Sequence, residues 1–396
     1  MSAAAGARLR PGEHAWVVVD LGAVVDNFEL VRRRALVGVY AVVKADAYGH
    51  GAIEVARALS GRAGLRGFVV ARVDEAEALR SVGVGEEILV LSPGIAAGGA
   101  PEILARLAGL RLTPYLSSLA EVEAAAAGAG SLGSSLPIHL EVDTGMARAG
   151  LSVEELHRAL ELLHGQRLLR LAGLATHLAE SEALDPGFTE DQLDRFRGIV
   201  DTTEQRPASA LHVANSAAAL DLPDSRFDAV RVGGALYGLD LARERRAADS
   251  APGAFALRPA MTVRARVLQV RSVRAGTPVG YGRRWRAPRD TRLALTPLGY
   301  ADGYPSALAG RARVLVGGRR CPVVGAVSMD LITVDVGDLP CGPGDEVVAL
   351  GSQSGEQIDA GALARVGGDV AYEVTCRFSR RLRRLFATPL APDCSL

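Results

Sequence analysis

Cysteine is scarce in this sequence, and so is any excess of charge. Cys321, Cys341, Cys376 and Cys394 all fall in the last quarter of the chain. They show no C-x-x-C spacing and no histidine nearby, which argues against a zinc ribbon or disulfide framework; reduced thiols and no metal are expected. Lysine plus arginine and aspartate plus glutamate number 45 each, so no global field draws the protein to nucleic acid or a membrane surface. The basic run from Arg377 to Arg384 reads as a solvated face or an interface. No apolar stretch is long enough to span a bilayer, and Met1 to Glu13 lacks the apolar core of a signal peptide. A cytoplasmic protein without nucleic-acid or membrane partners is expected.

What is present is a globular composition, 48% hydrophobic over 396 residues, long enough for two domains. Trp16 to Asp20 reads as a strand, and Leu21 to Arg34 as a helix with Leu21, Val24, Val25, Phe28 and Val31 at helical spacing. An apolar run then alternates with an amphipathic stretch eight times, the runs ending near Lys44, Ala71, Ser92, Tyr115, Val142, Thr176, Val213 and Val232. Runs apolar on both faces suit strands of a parallel sheet, and eight strand–helix units in roughly 200 residues suit a closed (β/α)8 barrel of the TIM type. An open doubly wound sheet is the alternative, weakened because no G-x-G-x-x-G follows the first strand. After about Asp240 the pattern changes. A polar, Ala-rich linker, Ala242 to Phe255, leads to short alternating runs: Met261 to Arg271, Arg292 to Leu298, Ala312 to Val316, Val323 to Val327, Ile332 to Val336 and Glu346 to Leu350. One helix-like piece, Asp359 to Val366, precedes the run Val370 to Phe378. The expected class is α/β plus β: a barrel over residues 1–250 that includes an N-terminal strand, then a mainly β C-terminal domain over residues 251–396.

The chemistry centres on Val43-Lys44-Ala45-Asp46-Ala47-Tyr48-Gly49-His50-Gly51. The spacing puts Lys44 at the last position of the first barrel strand, followed by a polar, Gly-bearing turn and the helix Ala52 to Leu59. An amine there sits in apolar surroundings at a cleft, which lowers its pKa and makes it a nucleophile toward carbonyl compounds. Barrel enzymes often bind phosphate at the loops after strands seven and eight. Those loops carry Ser216 and the pair Gly233-Gly234, and the glycines let backbone N–H groups approach an anion. A lysine nucleophile facing a phosphate cradle fits pyridoxal phosphate.

The Lys44 segment resembles the cofactor-lysine signature of the alanine racemases, the fold-type III pyridoxal phosphate enzymes. The likeness runs from Asp20 to Arg384 through Val142-Asp143-Thr144-Gly145-Met146, Thr176-His177, Ala214-Asn215-Ser216, Leu236-Tyr237-Gly238, Gly299-Tyr300-Ala301-Asp302-Gly303-Tyr304-Pro305, Ser328-Met329-Asp330 and Tyr372-Glu373-Val374. The resemblance implies a pyridoxal phosphate-dependent racemase of a small amino acid, most simply L- and D-alanine for cell-wall precursors. Serine or another small amino acid in a specialised pathway is the alternative. It implies that Lys44 holds the cofactor and moves the α-proton on one face, while Tyr300 of the partner subunit in a homodimer is the base on the other. It further implies that Tyr48, Ser216, Gly233, Gly234 and Tyr372 hold the phosphate, that His177 packs under the pyridine ring, and that Arg231, supported by His212, meets the ring nitrogen. Arg148 and the Met329 backbone N–H would take the substrate carboxylate.

Some positions depart from the family. Glu141 stands where many relatives have a carbamylated lysine, and is expected to brace Arg148 with its own, shorter carboxylate. Ala147 replaces a usual glycine, which should matter only where φ must be positive. Ser306 and Ala326 replace frequent arginines near the substrate entrance or the adjacent β-domain surface, and Ser328 a frequent cysteine.

Overall fold

A computed structural model describes residues 9–203, 210–240 and 256–387. Eight parallel strands close into a barrel: β2 (Gly38–Val42), β3 (Leu65–Val70), β4 (Glu87–Val90), β5 (Thr113–Leu116), β6 (Leu136–Glu141), β7 (Leu169–Ala175), β8 (Ala210–His212) and β9 (Ala229–Val232), with β9 pairing back onto β2. Alternation along each strand divides the core in two. Tyr40, Val42, Val69, Leu89 and Tyr115 pack together inside the barrel. Their neighbours Ala41, Phe68, Val70, Ile88 and Val90 join the apolar layer under the surrounding helices. Both faces are buried, which is why these strands read as continuous apolar runs rather than alternating ones.

The first expected strand is β1 (Ala15–Asp20), but it lies outside the barrel. It pairs antiparallel with β10 (Met261–Arg266) and parallel with β20 (Arg383–Ala387), so the N-terminal strand belongs to the sheet of the second domain. The helix Leu21–Ala35 follows directly, capped by the Asp20 carboxylate on Ala23 N–H at 2.9 Å. It buries Leu21, Val24, Phe28 and Val31 as the spacing predicts, while Val25, expected with them, is only partly buried at the edge of the face.

The second domain contains β10, β11 (Gln269–Val273), the small hairpin of β12 (Pro278–Val279) and β13 (Trp285–Arg286), β14 (Thr291–Thr296), β15 (Arg313–Val316), β16 (Arg319–Val324), β17 (Ile332–Asp335), β18 (Glu346–Gln353), β19 (Glu356–Ile358) and β20. The main sheet runs β11-β14-β17-β16-β15-β18-β10-β1-β20. The single run expected over Met261 to Arg271 is two strands. Val267 N–H bonds Asp345 O while Leu268 N–H bonds Leu295 O, so the chain crosses between distant parts of the sheet at this step. The run Val370 to Phe378 is helical over Ala371–Arg377. The expected linker, Ala242 to Phe255, lies outside the described residues. Among the described residues no helix is long and apolar enough to cross a membrane.

Asn27 joins the two domains. Its side-chain amide donates to Leu236 O (3.0 Å) and Arg258 O (2.8 Å), and its Oδ1 accepts from Arg258 N–H at 2.8 Å. Asn27→Ala orphans these groups and should cost about 2–3 kcal/mol. A chemical-denaturation midpoint that falls accordingly is the expected result; an unchanged midpoint contradicts this role.

Candidate active site

The chain leaves the barrel wall after Val43, whose N–H still bonds Val69 O at 2.9 Å. Lys44 therefore lies two residues beyond the end of β2 at Val42, not at its last position. Beyond the lysine the backbone makes a left-handed turn: Ala45, Asp46, Ala47 and Tyr48 all have φ between 53° and 55°. Each L-residue held there costs roughly 1–2 kcal/mol, so the turn persists only because its surroundings hold it. Ala45 N–H donates to Glu75 Oε1 (2.7 Å), the Asp46 carboxylate accepts from Ala52 N–H (2.8 Å), and Gly49 O accepts from Arg384 Nε–H (2.7 Å). Gly49 lies against the helix Ala371–Arg377, where an added Cβ would be 2.3 Å from Thr375 O. Elements of both domains thus fix the backbone that carries Lys44.

Lys44 opens onto a cleft of about 570 Å³ at the carboxyl ends of the barrel strands, lined also by Tyr48, Glu141, Arg148, His177, Ser216, Arg231, Gly233, Gly234 and Tyr372. Burial, and next the cation of Arg148, push the lysine amine below its ordinary pKa. Lys44 is also the only lysine in the chain, a signal of its importance legible in the sequence alone. Opposite it, Gly233 and Gly234 admit two phenols. A Cβ would stand 2.5 Å from the Tyr48 hydroxyl at the first and 2.4 Å from the Tyr372 ring at the second. Ser216 Oγ accepts from Gly233 N–H (3.1 Å) and Ala235 N–H (3.2 Å), which keeps its own O–H to donate. Burial raises the Tyr48 phenol to about 12, so it stays a neutral donor. Three hydroxyls around a glycine-lined recess form a cradle for an anion.

Arg231, 7% exposed, is the anchored cation of the site. Its Nη1 donates to His212 Nδ1 (2.6 Å) and His212 O (2.7 Å); its Nη2 donates to Thr176 O (2.7 Å) and Val213 O (3.2 Å) and meets His177 Nδ1 at 3.2 Å. Among the described residues no acceptor meets its Nε–H, although the side chain lines the cleft. Burial, reinforced by Arg231, lowers His177 to about 3, so its ring is neutral at physiological pH. Burial raises the Glu141 carboxyl, while Arg231 and Arg148 oppose that rise. No ion pair joins Glu141 to Arg148; a glutamate is shorter than a carbamylated lysine, and the two interact through space. Ala147 has φ 55°, so this position does use the conformation in which glycine is cheaper.

Tyr300 and Met329 do not line the cleft. They sit together on the second domain, joined through Tyr300 N–H to Ser328 O and Ala301 N–H to Met329 O, both at 3.0 Å. Both are exposed, at 48% and 54%. Gly299 permits this closeness, since a Cβ there would be 2.2 Å from Met329 O. Ser306 is also exposed on this domain, and neither it nor Ala326 reaches the cleft. The motif reading gave no role to Glu75, which supports the left-handed turn, or to His139, which lies 2.8 Å from His212. An acidic residue at the start of a helix and a histidine in an apolar strand were the available signals.

Comparison with known proteins agrees over nearly the whole chain. The family model "Alanine racemase, N-terminal domain" matches residues 19–241, and "Alanine racemase, C-terminal domain" matches residues 260–386. The alanine racemase of Syntrophobacter fumaroxidans is 37% identical over 383 residues, covering 96% of this chain and 99% of that protein. The alanine racemase of Sorangium cellulosum is 40% identical over 369 residues, covering 89% and 92%. Among solved structures, alanine racemase from the D-cycloserine producer Streptomyces lavendulae superposes with a TM-score of 0.86 at 32% identity, covering 96% and 98%.

Two outcomes are expected of the site itself. Ala45 is exposed, so Ala45→Gly relieves left-handed strain without a cavity and should gain about 0.5–1 kcal/mol after glycine's own entropy cost; a lower thermal midpoint would contradict the strain. The pH profile of Lys44 modification by an amine reagent, followed by peptide mapping, should have its midpoint below 10.5. Arg148→Gln should raise that midpoint, because it removes a cation that opposes protonation.

Proposed function

The chain belongs to the alanine racemase family, and from that premise we propose that it interconverts L- and D-alanine with pyridoxal 5'-phosphate, using Lys44 and the partner subunit's Tyr300 as its two bases. The observation that carries this reading is the joint placement of a deprotonation-prone Lys44, a glycine–hydroxyl anion cradle and an arginine with both terminal nitrogens held. The residues fit the cofactor. Gly233 and Gly234 leave the space a phosphate needs, with Tyr48, Tyr372 and Ser216 as donors, and the Arg231 Nε–H is available to a ring nitrogen. When bound, pyridoxal phosphate joins the substrate amine and withdraws electrons from the Cα–H bond.

Lys44, whose amine burial pushes below its ordinary pKa, would take or return the proton at Cα on one face. Arg231 keeps its own proton, because a guanidinium does not deprotonate in a protein. It therefore leaves the ring nitrogen unprotonated and the electron withdrawal moderate, which favours return of the proton to Cα over its delivery elsewhere. His177, uncharged, keeps Arg231 in place at 3.2 Å without adding a competing positive charge. Arg148 faces the substrate carboxylate. Tyr300 and Met329, exposed on the second domain, reach the cleft of a second copy in a two-fold dimer, which makes two equal composite sites. The corresponding metabolic setting is cytoplasmic supply of D-alanine for cell-wall precursors. Serine or another small amino acid as substrate is not favoured, since the matched relatives are alanine racemases.

Lys44→Ala should abolish the cofactor's absorption band, and Tyr300→Phe should cut racemisation by about 10²–10⁴-fold. Mixing and refolding these two inactive variants should restore about a quarter of the wild-type activity, through hybrid dimers with one intact site. No recovery would overturn the composite site, and a panel in which alanine turns over more slowly than serine would overturn the substrate.

A further inference from the structure

The interior of a (β/α)8 barrel is usually filled by branched aliphatic side chains. Behind Arg231, this one carries a file of polar groups instead. Arg231 Nη1 lies 2.6 Å from His212 Nδ1, His212 Nε2 lies 2.8 Å from His139 Nδ1, and His139 Nε2 lies 3.9 Å from Glu87 Oε1. Both imidazoles are buried, at 0% and 1% exposed. Glu87 opens β4 at the other end of the barrel, where its side chain is 29% exposed. The carboxylate is itself fixed: Tyr40 donates to Oε2 (2.8 Å), Thr113 donates to Oε1 (3.0 Å), and Arg66 Nε–H donates to the Tyr40 hydroxyl (2.9 Å). The barrel makes room for the file. Gly173 pairs with His139 across β6 and β7, and a Cβ on it would stand 2.5 Å from the His139 ring.

The direction of each bond is set by the donor chemistry. A guanidinium only donates, so His212 Nδ1 must accept, and the proton of a neutral His212 sits on Nε2. That proton points at His139 Nδ1, which must accept in turn and carry its own proton on Nε2, toward Glu87. The last gap is too long for a direct hydrogen bond, but it places a carboxylate oxygen opposite an N–H dipole. Burial and the nearby arginines hold both imidazoles neutral. With the opposite tautomer, His212 would aim an N–H at Arg231, and the guanidinium would lose an acceptor.

We propose that His139 and Glu87 are positioning residues: they lock His212 in its Nε2–H tautomer, so that a lone pair always faces Arg231 and holds the guanidinium at the cleft. Arg231's use there rests on the cofactor reading above; the tautomer does not. The test is long-range ¹⁵N–¹H correlation of the histidine rings in the cofactor-free protein, assigned with His212→Gln and His139→Gln. The wild type should show His212 with a bare Nδ1 and a protonated Nε2. His139→Gln, which can still accept and donate, should keep that pattern; His139→Leu strips the acceptor from the His212 Nε2–H and leaves the Tyr115 hydroxyl, 3.2 Å from Nδ1, as a competing acceptor, so it should populate the Nδ1–H tautomer in part. Glu87→Gln, at the rim and less disruptive to folding, should shift the His139 resonances. In the loaded enzyme, His139→Leu should raise the ratio of transamination to racemisation by about three- to tenfold, the worth of one hydrogen bond. A wild-type His212 protonated at Nδ1, or ring resonances unmoved in both His139→Leu and Glu87→Gln, would overturn the proposal. If the tautomers are as expected but the wild type does not take up pyridoxal phosphate, the cofactor reading fails and the histidine file stands.

Discussion

A buried guanidinium that cannot lose its charge is the constraint around which this fold closes. An unpaired charge at 7% exposure would cost several kcal/mol, so Arg231 must find acceptors wherever the chain puts it. It finds them at the ends of neighbouring strands: Thr176 O just past β7, and His212 O and Val213 O at the end of β8. Charge-assisted bonds of this kind contribute about 1.5–3 kcal/mol each. They lace β7, β8 and β9 together at the face where the cleft opens. A slip in register there would break several at once, so the demand of one cation specifies both the barrel's rim and the position of a guanidinium lining the cleft.

The cleft is a product of both domains. Gly233 and Gly234 come from the barrel and Tyr372 from a helix of the second domain. The left-handed turn after Lys44 is clamped from the same side by Arg384 and the Thr375 backbone. The strain in that turn is therefore supported by interdomain packing, and the N-terminal strand adds to the tie by pairing within the far sheet.

The sequence disclosed much of this because strong physical signals are local. Eight doubly apolar runs required strands with both faces covered, and the helical spacing of Leu21, Val24, Val25, Phe28 and Val31 marked a helix that buries all of these but Val25, which is partly exposed. Long-range facts stayed hidden. Nothing in Trp16 to Asp20 reveals which sheet it joins, because a short apolar strand satisfies any free edge. Nothing in Ala45 to Tyr48 predicts four successive left-handed residues, since none is glycine and the conformation is imposed by tertiary contacts. In sequence His139 is a single histidine within an apolar strand, and its partners on β4 and β8 lie far away along the chain. Ser216, Gly233 and Gly234 could be named because barrel chemistry is confined to one end; Tyr48, Arg148, His177, Arg231 and Tyr372 came with the family resemblance, as did Tyr300 and Met329, which lie apart from that cleft within a single chain.

The parallel pairing of Trp16–Asp20 with Arg383–Ala387 bears on how the molecule is made. Synthesis runs from the N-terminus, so Trp16–Asp20 can pair with Met261–Arg266 while its other edge stays open until Arg383–Ala387 has been made. The barrel can close on the emerging polypeptide, but Arg384 reaches Gly49 only when Arg383–Ala387 seats. The barrel side of the pocket can thus form early, while its Tyr372 wall and the clamp on the backbone beneath Lys44 wait for the second domain.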